Sequence, residues 1–290
     1  MTVLLQQCFN GLVAGSFYAL LALGLAVIFG MLRVVNFAHG VTYMLGAFGA
    51  VWLFDETHIS FWLALCIVPV VLGLLGMVIE RLLIHRLTAL DPLYNFLLTF
   101  GLALILQDLV RKRYGVSSQP YYQPRPLDGS VNLGLFDYPA YQVFVLAFSI
   151  LLCGCVWLLF TRSRIGLVVR AATERPELTG ALGIDVGRWV TPVFGAGVGL
   201  AGLAGVLAAP MRAVNSTMGS DLVIVVFAVV VIGGLGSVAG SVLAGFAVGM
   251  IEAIGNLYLP AVSQLLVFVL MAVVLLVRPA GLFGREEASA

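Results

Sequence analysis

The stretch "LAFSILLCGCVWLLF", Leu146–Phe160, runs fifteen residues without a charge. Strands of a membrane β-barrel alternate apolar and polar side chains over segments of about 10 residues. This stretch does not alternate, so it reads as helix. Similar runs recur along the chain. Hydrophobic residues make up 61% of it and charged residues 10%, with a mean hydropathy of +1.09. Soluble proteins carry about 25% charged residues. Several runs reach the ~20 residues a helix needs to cross a hydrocarbon core of ~30 Å. The expected fold is therefore an all-α polytopic membrane protein, a single transmembrane domain over 1–290. Net charge is +1 with no basic stripe, which argues against a nucleic-acid partner. Cys8, Cys66, Cys153 and Cys155 all lie in apolar stretches without metal or disulfide spacing, and read as small packing residues.

The apolar blocks are 9–30, 40–54, 59–80, 93–110, 139–160, 189–210, 221–255 and 261–277. Block 221–255 is too long for one span and is broken by "GGLGSVAG", Gly233–Gly240; glycine runs make poor helix interior. Two helices, about 221–232 and 241–255, are expected, both too short to cross comfortably. This gives nine crossings, with eight as the rival if 221–255 is one tilted or re-entrant unit. No Lys or Arg precedes Arg33, so the first helix lacks the charged start of a signal peptide and is expected to stay. Basic residues in short loops mark the cytoplasmic side. That puts 161–188 and the tail with Arg278 and Arg285 inside, and the N-terminus outside. "RKR", Arg111–Arg113, falls outside and is the one exception. The polar loop 111–138 is expected on the outer face, and 284–290 forms a short tail.

Segment 161–188 is the anomaly. It holds eight charged residues: Arg162, Arg164, Arg170, Glu174, Arg175, Glu177, Asp185 and Arg188. Thr173 is expected to cap a helix, with Glu174 in its first turn and Pro176 at its third position. Gly183 closes it in the left-handed conformation. Ala181, Leu182 and Ile184 add an apolar patch at its end. Such a segment is either a solvated loop that anchors topology or a docking helix for a soluble partner. The first accounts for the arginines but not for the cap, the stop or the length, and the pattern alone leaves both open.

Four stretches carry a resemblance. "RAATERPELTGALGIDVGRW", from Arg170, resembles the coupling segment of ABC-importer permeases, with small residues, an acidic-x-Pro pattern and Gly-Ile. "VVNFAHGVTYMLGAFGA", Val34–Ala50, resembles the Asn-Phe-Ala-His-Gly signature of branched-chain amino acid permeases of the LivH type. "VVVIGGLGSVAGSVLAGFAVGMIEAIGNLYLP", Val229–Pro260, and "LLVRPAGLFG", Leu275–Gly284, are similar to the same family. The resemblance implies uptake of leucine, isoleucine and valine across a bacterial inner membrane. It implies two ATP-binding cassette subunits, a second related permease and a periplasmic substrate-binding protein as partners. It assigns coupling to Arg170, Ala172, Thr173, Glu174, Pro176, Glu177, Gly183 and Ile184. Arg175 departs from the Asn or Asp common before the coupling-loop proline.

The residues bear on the source of energy independently. A Walker A loop needs a glycine-rich run and a Lys followed by Ser or Thr. The single lysine, Lys112, stands between Arg111 and Arg113 with no such run before it. The chain is thus expected to be no enzyme and to hold no cofactor, with ATP bound by partner subunits. Candidate path or gate residues are Asn36, Phe37, His39 and Gly40, the break at Gly233, Gly234, Gly236 and Ser237, and Glu252. Each has a plainer alternative. His39 reads equally as a packing histidine, the glycines as close packing, and Glu252 as a helix-end group. Asp108 and Glu80 are expected at membrane interfaces, and Asp221 in a helix's first turn. A lone His lacks the ligand count for a metal. "NFAHGVTYMLGAFGA" and "GGLGSVAGSVLAGFAVG" hint at an internal repeat. Two other functions stay open: the same machine with urea, a short amide or another amino acid, and an ion-coupled transporter or channel.

Overall fold

The computed structural model describes residues 2–32, 36–87, 90–132, 137–174 and 176–284. Among these, the helices in chain order are α1 (Thr2–Leu32), α2 (Ala38–Thr57), α3 (Phe61–Leu87) and α4 (Pro92–Tyr114). They continue with α5 (Ala140–Arg162), α6 (Arg164–Glu174), α7 (Pro176–Ala181) and α8 (Gly187–Ala208). The last are α9 (Met218–Gly233), α10 (Val238–Tyr258) and α11 (Ser263–Val277). A short antiparallel hairpin pairs β1 (Ser130–Asn132) with β2 (Asp137–Pro139). The protein is an all-α polytopic membrane protein, and every expected apolar block contains a helix. In hydrocarbon each backbone N–H and C=O must be satisfied within its own segment, which only helices and closed barrels achieve.

Among the described residues seven helices are long and apolar enough to cross a membrane: α1, α3, α4, α5, α8, α10, and α11 together with the 3-10 turn before it, Pro260–Val277. Helix α9 is shorter, at 16 residues. Several boundaries differ from expectation. Helix α10 has 21 residues, and at 1.5 Å per residue it extends about 31 Å, enough to span. It is longer because Gly240 and Gly255 pack against neighbours inside it instead of ending it. Helix α1 starts at Thr2 instead of residue 9. The "RKR" triplet is the last turn of α4 and not part of the loop, where three cations suit the negative end of the helix dipole.

The chain forms two compact units. One comprises 27–122 and 154–223. Its centre is α2 and α3 against α8. A Cβ on Gly205 would lie 2.0 Å from the Tyr43 carbonyl oxygen, and one on Gly46 2.1 Å from that of Gly202, so the two backbones touch. Along α3, Ala64, Val68 and Leu72 are buried while Val70, Val71, Leu74 and Val78 stand exposed. A helix that is apolar on both its buried and its exposed side is suited to lipid on the exposed side. At one end of this unit Arg113 reaches Glu56 at 3.2 Å, and Gln119 pairs with Val214.

The other unit comprises 1–26, 123–153 and 224–290. Here α1 packs on α10 by the same device: a Cβ on Gly249 would sit 2.3 Å from Gly15 N. The Phe9 ring meets Tyr138 of the hairpin edge-on at 4.3 Å, and the Tyr138 hydroxyl donates to Asn10 Oδ1. Burial pushes the Tyr138 phenol up to about 12. In each unit a polar break, at 36–37 or 234–237, precedes a helix that packs through glycine.

Candidate functional site

The charged segment 161–188 folds as two helices in succession, α6 and α7. Ser163 accepts a hydrogen bond from Gly166 N at 3.0 Å and so caps α6. Thr173 is not a cap. It lies inside α6, and its hydroxyl donates to the Val169 carbonyl at 2.8 Å. Helical geometry already exists upstream from Arg164, so the threonine bonds back one turn, as threonine in a helix commonly does. Arg170 Nη2 reaches the Thr161 carbonyl at 3.4 Å and its Nε the Gly166 carbonyl at 3.3 Å. It thereby satisfies an unpaired carbonyl at the end of α5. Ala172 is buried. Glu174 ends α6, and Pro176 and Glu177 open α7, so Pro176 stands at the first helical position and not the third. Arg175 lies outside the described residues, as do Arg33 and the tail beyond Gly284.

The stop is as expected. Gly183 has φ +81°. Ile184 N donates to the Thr179 carbonyl (3.3 Å) and Gly183 N to that of Gly180 (2.9 Å), the two bonds of a Schellman motif. The motif leaves Leu178 and Leu182 facing outward; Leu182 is 81% exposed. These are large apolar side chains on a segment otherwise rich in charge.

The first break precedes α2. Asn36 Oδ1 accepts from Ala38 N (3.0 Å), and Phe37 N donates to Thr99 Oγ1 (3.4 Å). The Phe37 ring packs edge-on against Phe96 at 5.1 Å. His39 is 1% exposed, and its carbonyl accepts from the Thr42 hydroxyl at 2.7 Å. A Cβ on Gly40 would lie 2.3 Å from the Gly219 carbonyl oxygen. Asn36, Phe37, His39 and Gly40 thus form one packed turn. Gly219 belongs to α9; the connection that leads into α9, 209–217, is irregular, yet Ala209, Val214 and Ser216 in it are buried. Irregular backbone is tolerated at membrane depth where protein covers it.

The second break contains Gly234 at φ +102° and Gly236 at φ +82°. Ser237 caps α10, accepting from Gly240 N at 3.1 Å. The C-terminal strap lies on this break. Leu282 N donates to the Ile232 carbonyl (2.9 Å) and Phe283 N to that of Gly233 (3.1 Å). A Cβ on Gly234 would be 2.4 Å from Gly284 N. Two stretches quoted separately from the sequence, "GGLGS" and "RPAGLFG", are therefore one structural feature. Glu252 accepts a hydrogen bond from the Tyr18 hydroxyl at 2.6 Å, which ties α10 to α1.

Glu80, for which the sequence suggests a position at a membrane interface, is completely buried within the protein. Helix α3 runs on to Leu87 through a π-helical turn, Glu80–Ile84, so Glu80 is interior to the helix. Its Oε2 accepts from the Thr191 hydroxyl at 2.6 Å. The available signal was the continued apolar pattern "LLI" after Arg81. Among the described residues no group of three or more His, Cys, Asp or Glu is placed to hold a metal.

Residues 7–275 match the family described as branched-chain amino acid transport system / permease component. The chain belongs to this family. Among relatives of this permease, the high-affinity branched-chain amino acid transport system permease protein BraD of Pseudomonas aeruginosa is 32% identical, over 98% of this chain and 96% of that one. The corresponding protein LivH of Escherichia coli K12 is 28% identical over the same shares. The probable branched-chain amino acid transport permease protein LivH of Methanocaldococcus jannaschii is 27% identical, over 96% of this chain and 91% of that one.

Proposed function

We propose that this permease is one membrane-spanning half of an ATP-driven importer of leucine, isoleucine and valine. A periplasmic binding protein delivers the amino acid to its outer face. A second, related permease and two ATP-binding cassette subunits complete the complex, and α6 and α7 are the surface on which an ATP-binding subunit docks from the cytoplasm. The N-terminus lies outside and the C-terminus inside a bacterial inner membrane. Arg170, Ala172, Thr173, Glu174, Pro176, Glu177, Gly183 and Ile184 build the docking element. Asn36, Phe37, His39, Gly40, Gly233, Gly234, Gly236, Ser237 and Glu252 belong to the path or its gate.

The observation that carries this reading is the Schellman-stopped helix with Leu178 and Leu182 exposed beside it. A mere topological anchor needs the arginines but not a fixed apolar face. Membership of the permease family supports the cargo class. ATP is assigned to partners because Lys112 is the only lysine and is engaged with Asp108 at 3.0 Å.

The test is purification of the tagged permease from membranes, followed by uptake in liposomes. The expected result is co-purification of an ATP-binding subunit and ATP-dependent accumulation of labelled leucine, with labelled urea excluded. A permease that purifies alone and transports alone contradicts the reading.

A further inference from the structure

Two helix defects face each other where α8 leaves the coupling segment. Helix α8 begins at Gly187 and carries Pro192 in its interior. Proline has no N–H, so the bond to the Arg188 carbonyl is missing, and the first turn is loosely joined to the rest. Opposite lies the π-helical turn of α3, Glu80–Ile84. Such turns are rare and cluster at functional positions.

The two defects are bridged by one buried carboxylate. Glu80 is 0% exposed and holds the Thr191 hydroxyl at 2.6 Å. Its other oxygen, Oε1, accepts no hydrogen bond among the described residues and lies 3.6 Å from Nδ1 of the exposed His85. A carboxylate buried with so few partners is costly, and apolar packing would fill the same space more stably.

Beyond the joint the helix bodies are locked. A Cβ on Gly195 would be 2.7 Å from the Gly73 carbonyl oxygen, and one on Gly76 2.8 Å from Val198 Cβ, so α3 and α8 cannot slide past each other there. Beside the joint is a small gap in the packing. A mainly apolar cavity is bounded by Ile79, Ile84, Phe194 and Val198, and by Asn36 and Thr42 of the first break. Locked bodies, two loosened turns and adjacent free space are the parts of a hinge.

We propose that the Glu80–Thr191 pair is the joint through which displacement of the coupling segment is passed from the first turn of α8 to α3, and so toward Asn36. Glu80 is a positioning residue: it holds the first turn of α8 against the π-helical turn of α3 and touches no substrate. This inference rests on the importer reading above.

The test uses the complete complex in proteoliposomes, with its binding protein, and reads labelled leucine moved per ATP hydrolysed. Three variants are compared: Thr191→Val, Thr191→Ser, and the double variant Glu80→Met with Thr191→Val. The double variant leaves no buried charge without a partner, so it is expected to fold. Thr191→Val and the double variant should lower the leucine-to-ATP ratio at least about fivefold, the lower end of usual coupling energies, while ATP hydrolysis continues. Thr191→Ser should keep the ratio. A double variant that retains the wild-type ratio overturns the joint. So does one in which hydrolysis and uptake fall together, or which fails to assemble, because the pair is then structural only. An unmodified complex that hydrolyses no ATP or accumulates no leucine is a different failure: it sinks the importer reading itself, and the joint with it.

Discussion

Replacing Gly183 by alanine puts a side chain on a residue at φ +81°, with open space where the Cβ would stand. The cost is therefore conformational, about 1–2 kcal/mol. That suffices to weaken the Schellman stop without disturbing the membrane helices. Leucine uptake should fall with the amount of inserted protein unchanged, and Gly183→Asn should be milder, since Asn tolerates this conformation. Tyr138 supports a prediction in pH. Its phenol is held neutral to about 12 by burial, above the usual 10. A raised acid pKa favours the neutral, folded form below pH 10, and that contribution is lost as pH rises from 10 through 12. A difference titration at the tyrosinate absorbance, wild type against Tyr138→Phe, should show one phenol ionising near the upper value. At this scale sequence reading was uneven. Gly183 was legible because a glycine closing a polar helical run has few other roles. Thr173 was misplaced because a capping residue and an interior threonine look alike until the upstream helix is known. Glu80 was missed because an acid beside an arginine resembles a helix end.

Among the elements, lengths were harder to read than existence. Every apolar block became a helix, since hydrocarbon leaves the backbone no alternative. The ends of α1 and α10 ran past their expected limits because polar residues such as Gln6, Gln7 and Asn256 are accommodated at exposed helix termini. The strap on the second break was not legible at all, because it depends on contacts between residues about fifty positions apart. It leads to a clear expectation. Truncation after Arg278 removes the Leu282 and Phe283 donors and leaves the Ile232 and Gly233 carbonyls unpaired in a buried site. Each such acceptor costs about 1–3 kcal/mol. The melting temperature of the detergent-solubilised permease should drop, while truncation after Gly284 should leave it unchanged.

For the whole molecule, the proposed importer takes up the work of ATP-hydrolysing partners through α6 and α7. The family, the all-α fold and the segment's place in the chain were legible because they rest on composition and on motifs with fixed spacing. The path itself was less so: its candidate residues at the two breaks proved to be packed turns, and Glu252 lies within α10. The claim predicts which surface meets the motor. Leu182 is the most outward-facing apolar side chain of the segment, at 81% exposed. The most direct measurement is a crosslink from Leu182→Cys, made in a background without Cys8, Cys66, Cys153 and Cys155, in sealed inside-out vesicles during ATP turnover. A crosslink to an ATP-binding subunit, formed from the cytoplasmic side and altered by trapping the nucleotide, is the predicted result. A cysteine that reacts only from the periplasmic side, or that stays free of any ATP-binding subunit throughout turnover, would contradict the account.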